Sequence, residues 1–130
     1  MAAKSTYLRN KILDLVFGRT AYTAPAILYV GLFNTTPTDA SPTGIEVTGV
    51  NYTRVAVNNN TTNWPSASNG IKTNPNEVSF SVGAGGWSIV TGYGIFDAFS
   101  GGNLLYYGSF ESIFAEDGSL INLNIEIKES

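Results

Sequence analysis

The chain has 130 residues, 43% of them hydrophobic and 13% charged, with a net charge of -3 and neither cysteine nor histidine. That length suits one domain with a real core, and the missing residues exclude disulfides, thiolate metal sites, cysteine nucleophiles, Ser-His-Asp catalysis and the commonest zinc ligand. A charge content about half the ~25% usual in soluble domains leaves Asn, Thr, Ser and Gly to cover the surface, or an assembly to bury part of it.

Charge is unevenly placed. Residues 1–19 hold Lys4, Arg9, Lys11 and Arg19 against Asp14, a balance of +3, while the rest holds Arg54, Lys72 and Lys128 against nine acids, a balance of -6. A basic N-terminal element on an acidic body is suited to docking on an acidic partner; the plainer reading is solubilising charge on a helix. With no basic stripe beyond it, nucleic-acid binding is not expected. Neither a signal-peptide pattern nor a membrane-length apolar run is present, which predicts synthesis in the cytoplasm and no membrane partner.

In chain order, residues 1–4 read as a loose tail. Ser5 or Thr6 caps a helix over 5–17, with Gly18 placed for a left-handed exit. Leu8, Ile12, Leu15 and Val16 form one apolar stripe, and a helix this short requires that stripe to pack on the body or on a partner. Residues 27–33, Ile-Leu-Tyr-Val-Gly-Leu-Phe, form the first uninterrupted apolar run and predict a central strand covered on both faces. Gly31 within it predicts a bulge or the close approach of a backbone or ring.

The loop 34–43 carries two prolines, and 46–50 suggests a short edge strand. Alternation over 52–57 predicts a strand with Val55 and Val57 inward and Arg54 outward. The polar stretch 58–63 is a loop, and Trp64 after it is either an anchor or an exposed contact, the anchor being favoured because exposed large aromatics are uncommon without function. Residues 66–76 read as another loop, and 77–82 as a strand with Val78, Phe80 and Val82 inward. The 83–86 glycine run lacks the lysine and helix of a phosphate-binding loop. Residues 87–99 and 103–110 form a hairpin around 100–103, with Gly92 and Gly94 leaving a groove for an aromatic. After a turn at 116–118, residues 120–127 alternate as a final strand. The chain is thus expected to be one domain over 1–130: a mainly β, jelly-roll-like antiparallel β-sandwich over 27–127 preceded by one short α-helix.

Catalytic chemistry is thin. Asp97 and Glu111 fall on neighbouring strands near the 100–103 turn, where a carboxylate pair for glycoside hydrolysis is conceivable, but such residues usually cap turns. Glu116 and Asp117 supply too few oxygens for calcium, and the N-x-[ST] matches matter only in a secreted eukaryotic protein. No catalytic, cofactor-binding or metal residue is assigned, no cofactor is expected, and the chain is not expected to be an enzyme. Trp64, Trp87, Tyr52, Tyr93, Tyr106 and Tyr107 are candidates for sugar stacking that the residues alone do not separate from core packing.

The block STYLRNKILDLVFGRTAYTAPAILYVGLF with PTDA after it, then VTGVNYTRVAVNNNTTNWP, WSIVTGYGIFDA and GGNLLYYGSF, resembles a family of small tailed-phage structural proteins. Its members are often labelled tail fibre proteins, and the group is similar to capsid cement (decoration) proteins with a jelly-roll-like fold. The resemblance implies a virion protein on the capsid surface, made in the bacterial host. It would be a homo-oligomer, a dimer rather than a trimer, binding the major capsid protein and bridging capsomers. Lys4, Tyr7, Arg9, Lys11 and Arg19 on the basic helix would then be partner-binding residues. The alternative, a tail fibre or tail-tip adhesin, would use the 58–68 loop and Trp64 against host glycans.

Overall fold

The computed structural model describes residues 2–38 and 43–128. Met1, the 39–42 part of the proline loop (with the Asp-Ala of PTDA) and the last two residues lie outside them. The elements are β1 (Ala2–Lys4), α1 (Thr6–Val16), β2 (Ile27–Thr35), β3 (Ile45–Glu46), β4 (Val55–Asn58), β5 (Ile71–Thr73), β6 (Val78–Ser81), β7 (Ser88–Phe96), β8 (Leu104–Ala115), β9 (Leu120–Leu123) and β10 (Glu126–Lys128). All ladders are antiparallel, and together they make the expected mainly β sandwich with one helix before it.

The large sheet runs β1-β8-β7-β2, after which β4 and β3 share the far side of β2. Strand β2 is central as its apolar run predicts: its first half pairs with β4, its second with β3, and its other edge with β7. The facing layer consists of β6 paired with β9 and β5 paired with β10. Asn74 N–H donates to Ile125 O at 3.1 Å, linking the two pairs where β9 passes into β10. Alternation decides what goes between the layers. Val30, Leu32, Val90 and Ile95 point in from the large sheet and Val78, Phe80, Ile121, Leu123 and Ile125 from the other, with Trp64 and Trp87 among them.

Four expectations are corrected here. The supposed tail is strand β1, which pairs Ala2 with Gly108 and Lys4 with Tyr106 and so covers part of the β8 edge. The 66–76 loop contains β5. The edge strand over 46–50 shrinks to Ile45–Glu46, and the final strand breaks in two between β9 and β10. Pieces of two or three residues show no readable alternation, which is why they escape sequence reasoning.

The helix starts as expected: Ser5 Oγ accepts from Leu8 N–H at 3.1 Å, and Gly18 follows at φ 125°. Gly94 shows why a strand centre here lacks a side chain, since an added Cβ would sit 2.5 Å from Phe33 Cε2. Replacing it (Gly94→Ala) forces the Phe33 ring off its position and is expected to cost about 1–3 kcal/mol in urea unfolding with an unchanged m-value.

Candidate functional site

Two places in the molecule gather side-chain chemistry: a buried polar cluster beside the 97–103 turn and the surface of the N-terminal arm. The cluster centres on Arg54, the residue just before β4. Its Nη2 and Nε donate to Glu46 Oε1 and Oε2 at 2.8 and 2.9 Å, and its Nη1 donates to the carbonyls of Ala98 and Gly101 at 2.8 and 2.9 Å. The guanidinium lies 3.5 Å from the Phe96 ring centroid. Glu46 Oε2 also accepts from Tyr52 Oη at 2.6 Å, and Tyr52 Oη in turn accepts from Leu32 N–H at 2.9 Å. Tyr52 packs edge-on against Trp87 at 5.4 Å, and Trp87 Nε1 donates to Val50 O at 2.9 Å. Gly31 is required beneath this group, because a Cβ there would stand 2.7 Å from Tyr52 Oη and 2.8 Å from Glu46 Oε2.

Arg54 was expected to point outward, and this is corrected: it is 8% exposed. The alternation places it on the right face, opposite Val57, but that face is covered by Phe96 and the hairpin turn. Four of the fork's five N–H groups are engaged, by two carboxylate oxygens and two carbonyls, in holding the turn to the sheet. The signal that could have found it is that Glu46 and Arg54 are the charged residues of 43–71, eight apart across a short connection.

Asp97 and Glu111 do not form a pair. Asp97 caps the turn, accepting from Asn103 N–H at 2.7 Å and Asn103 Nδ2 at 2.9 Å. Glu111 is exposed and lies about 23 Å further along β8 than Leu104, the partner of Phe96. Among the described residues no group of three or more acidic side chains is placed to hold a metal ion.

The partner-binding candidates divide. Lys4, Tyr7, Arg9, Lys11 and Arg19 all lie on one arm: Lys4 in β1, Tyr7 with Lys11 Nζ 5.5 Å over its ring, Arg9 donating to Thr6 Oγ1 at 2.9 Å, and Arg19 just past the helix. Trp64 is not with them. It is 4% exposed within the core, its Nε1 without a hydrogen-bond partner, so it anchors its loop and offers no ring for a sugar to stack on. Its assignment as a contact residue is corrected on that ground.

Helix α1 buries no residue completely. Leu8 and Ile12 rest on Leu28, Ile95 and Leu105 around a cavity of about 230 Å³ that Trp64 also lines. Leu15 and Val16, the rest of the predicted stripe, are exposed, and so are Leu13 and Phe17, at 54% and 76%. Arg9, Leu13 and Phe17 stand four residues apart and form one continuous row along the helix.

Stability should follow the cluster. Truncating Arg54 (Arg54→Ala) leaves Glu46 partly buried without its partner and is expected to cost about 3 kcal/mol or more in denaturant unfolding. Burial, and for Tyr52 also the hydrogen bond to Glu46, pushes the Tyr52 and Tyr93 hydroxyls above their ordinary 10.0. The folded state therefore holds these protons more tightly than the unfolded chain, a contribution fully present below about pH 10 and lost as pH rises beyond it. Unfolding midpoints should be level from pH 7 to 9 with respect to these groups and fall above 10, less steeply in Tyr93→Phe.

No curated protein matches the chain. A family model described as Podophage GP4 fiber I protein gp80 matches residues 3–119, about nine-tenths of the chain's length, taking in α1, all of the large sheet but Ala2, and the Arg54 cluster. A β-sandwich with its polar chemistry consumed internally and its N-terminal arm unburied is thus a bacteriophage structural protein, and the chain belongs to the podophage GP4 fiber I protein gp80 family.

Proposed function

We propose that this chain is a non-enzymatic structural subunit of a virion fibre, built into the particle through the exposed face of α1. The observation that carries the reading is Leu13 and Phe17 with Val16 beside them: large apolar side chains left in water on a helix that is marginal without a partner. Arg9, Lys11 and Arg19 outnumber Asp14 around these side chains, so an apolar contact with an acidic rim on the partner is the chemistry they fit. The family description favours a fibre over the capsid-cement role, and a copy of this chain decorating the major capsid protein is the competing outcome of the test. A glycan-binding adhesin loses its support with the burial of Trp64. An enzyme loses its support with the separation of Asp97 from Glu111 and the engagement of Arg54 with Glu46.

Purified virions should contain a small symmetric set of copies, counted by quantitative peptide mass spectrometry against the major capsid protein. Virions raised with Leu13→Ser/Phe17→Ser as the sole source should lose the protein, although the variant folds. A copy number matching the major capsid protein would favour cement, and normal incorporation of the variant would remove α1 as the attachment surface.

A further inference from the structure

The two ends of the large sheet carry complementary surfaces. At one end sits the N-terminal arm. Ser5 N–H donates to Leu105 O at 2.7 Å, and where the arm returns to the sheet, Asn59 N–H and Nδ2 donate to Ala26 O and Pro25 O at 3.0 and 2.8 Å. This end presents the exposed Leu13, Val16 and Phe17 among Arg9, Lys11 and Arg19, with Asp14 as the one acid. At the other end, Ile89 and Phe114 face each other across the β7–β8 ladder, next to its last pair, Ser88 and Ala115. Both are exposed, at 51% and 65%. Cross-strand partners project to the same side of the sheet, so Ile89 and Phe114 form one apolar spot. Glu111, Glu116 and Asp117, all exposed, lie within three residues of Phe114 in the chain, which contains no basic residue between Lys72 and Lys128.

From these placements we infer that the α1 face of one copy docks on the Ile89–Phe114 end of a second copy, head to tail. The inference rests on the assembly role proposed for α1 and names its partner. Each surface is apolar at its centre and of one net sign at its rim, basic around α1, where Arg9, Lys11 and Arg19 outnumber Asp14, and acidic around Phe114, so copies attract in this orientation and repel when like ends meet. Seven residues of strand, about 23 Å, separate Ile89 from Phe96 at the arm end. One copy therefore cannot satisfy its own two surfaces. A contact joining two different patches is heterologous. It closes into a ring where the rotation between copies allows and otherwise extends as a filament, the geometry a fibre needs.

The test is sedimentation velocity on the purified chain and on two folded variants, Leu13→Ser/Phe17→Ser, blocked at the helix end, and Ile89→Ser/Phe114→Ser, blocked at the strand end. The wild type should grow beyond a dimer, or settle as a closed ring, as concentration rises. Each variant alone should associate about 100-fold or more weakly, from the loss of two large apolar contacts. Their equimolar mixture should form a one-to-one dimer and nothing larger, because each supplies the end that the other lacks. A mixture that stays monomeric while the wild type associates would overturn the inference, as would either variant associating like the wild type. Should a double variant fail to fold, Phe17→Ser and Phe114→Ser read the same two ends. A monomeric wild type at every concentration, with the helix variant still lost from virions, would overturn the self-partner and leave the reading of α1 standing; a monomeric wild type with the variant retained would overturn both.

Discussion

A buried guanidinium is the constraint on which the large sheet depends. A buried Arg54 beneath a hairpin turn requires its charge to be answered, and Glu46, Ala98 and Gly101 accept four of its five N–H groups. Those partners come from two parts of the chain distant from each other in sequence. Satisfying one charge therefore fixes β3 against β4, and both against the turn that joins β7 to β8. Tyr52 extends the bond chain to the backbone of β2, and Gly31 gives it room. The cluster resembles an active site in its density of polar contacts and is the reverse in chemistry. The Glu46 carboxylate and four of the five Arg54 N–H groups in it are already answered by other groups of the chain.

The consequence for function is a division of labour. The interior polar groups hold a small sandwich rigid with little charge, while the surfaces that remain unanswered are apolar and lie at its ends. A chain carrying 13% charged residues has few like charges to keep copies apart, so apolar ends of opposite rim charge are free to act. The arm shows this most clearly. Leu8 and Ile12 hold α1 to the body, and Leu13, Val16 and Phe17 do not.

How much was legible in the sequence followed element length and sidedness. The β2 run, the 77–82 alternation and the β7–β8 hairpin announced themselves, because five or more residues of period-two or unbroken apolar pattern have few other homes. Trp64 as an anchor and Gly31 as a place of close approach followed from cost: a wet indole and an unnecessary glycine both need a reason. Short strands such as β1 and β5 did not show. Arg54 misled for a different reason. Its face was readable from the alternation at Val55 and Val57, but what covers that face comes from Phe96 and the 97–103 turn, more than forty residues away, and local pattern has no access to that. Half of the arm was legible too. The stripe of Leu8 and Ile12 was visible, whereas the exposure of Leu13 and Phe17 depends on where the body ends.

Cryo-electron microscopy of the intact virion, with the fibres reconstructed without imposed head symmetry, tests the central claim most directly. The account predicts this sandwich within a fibre, the row from Arg9 to Phe17 covered by a neighbouring subunit and the 58–68 loop standing free of it. Copies spread over the head lattice, or fibre copies with α1 facing solvent, would contradict it.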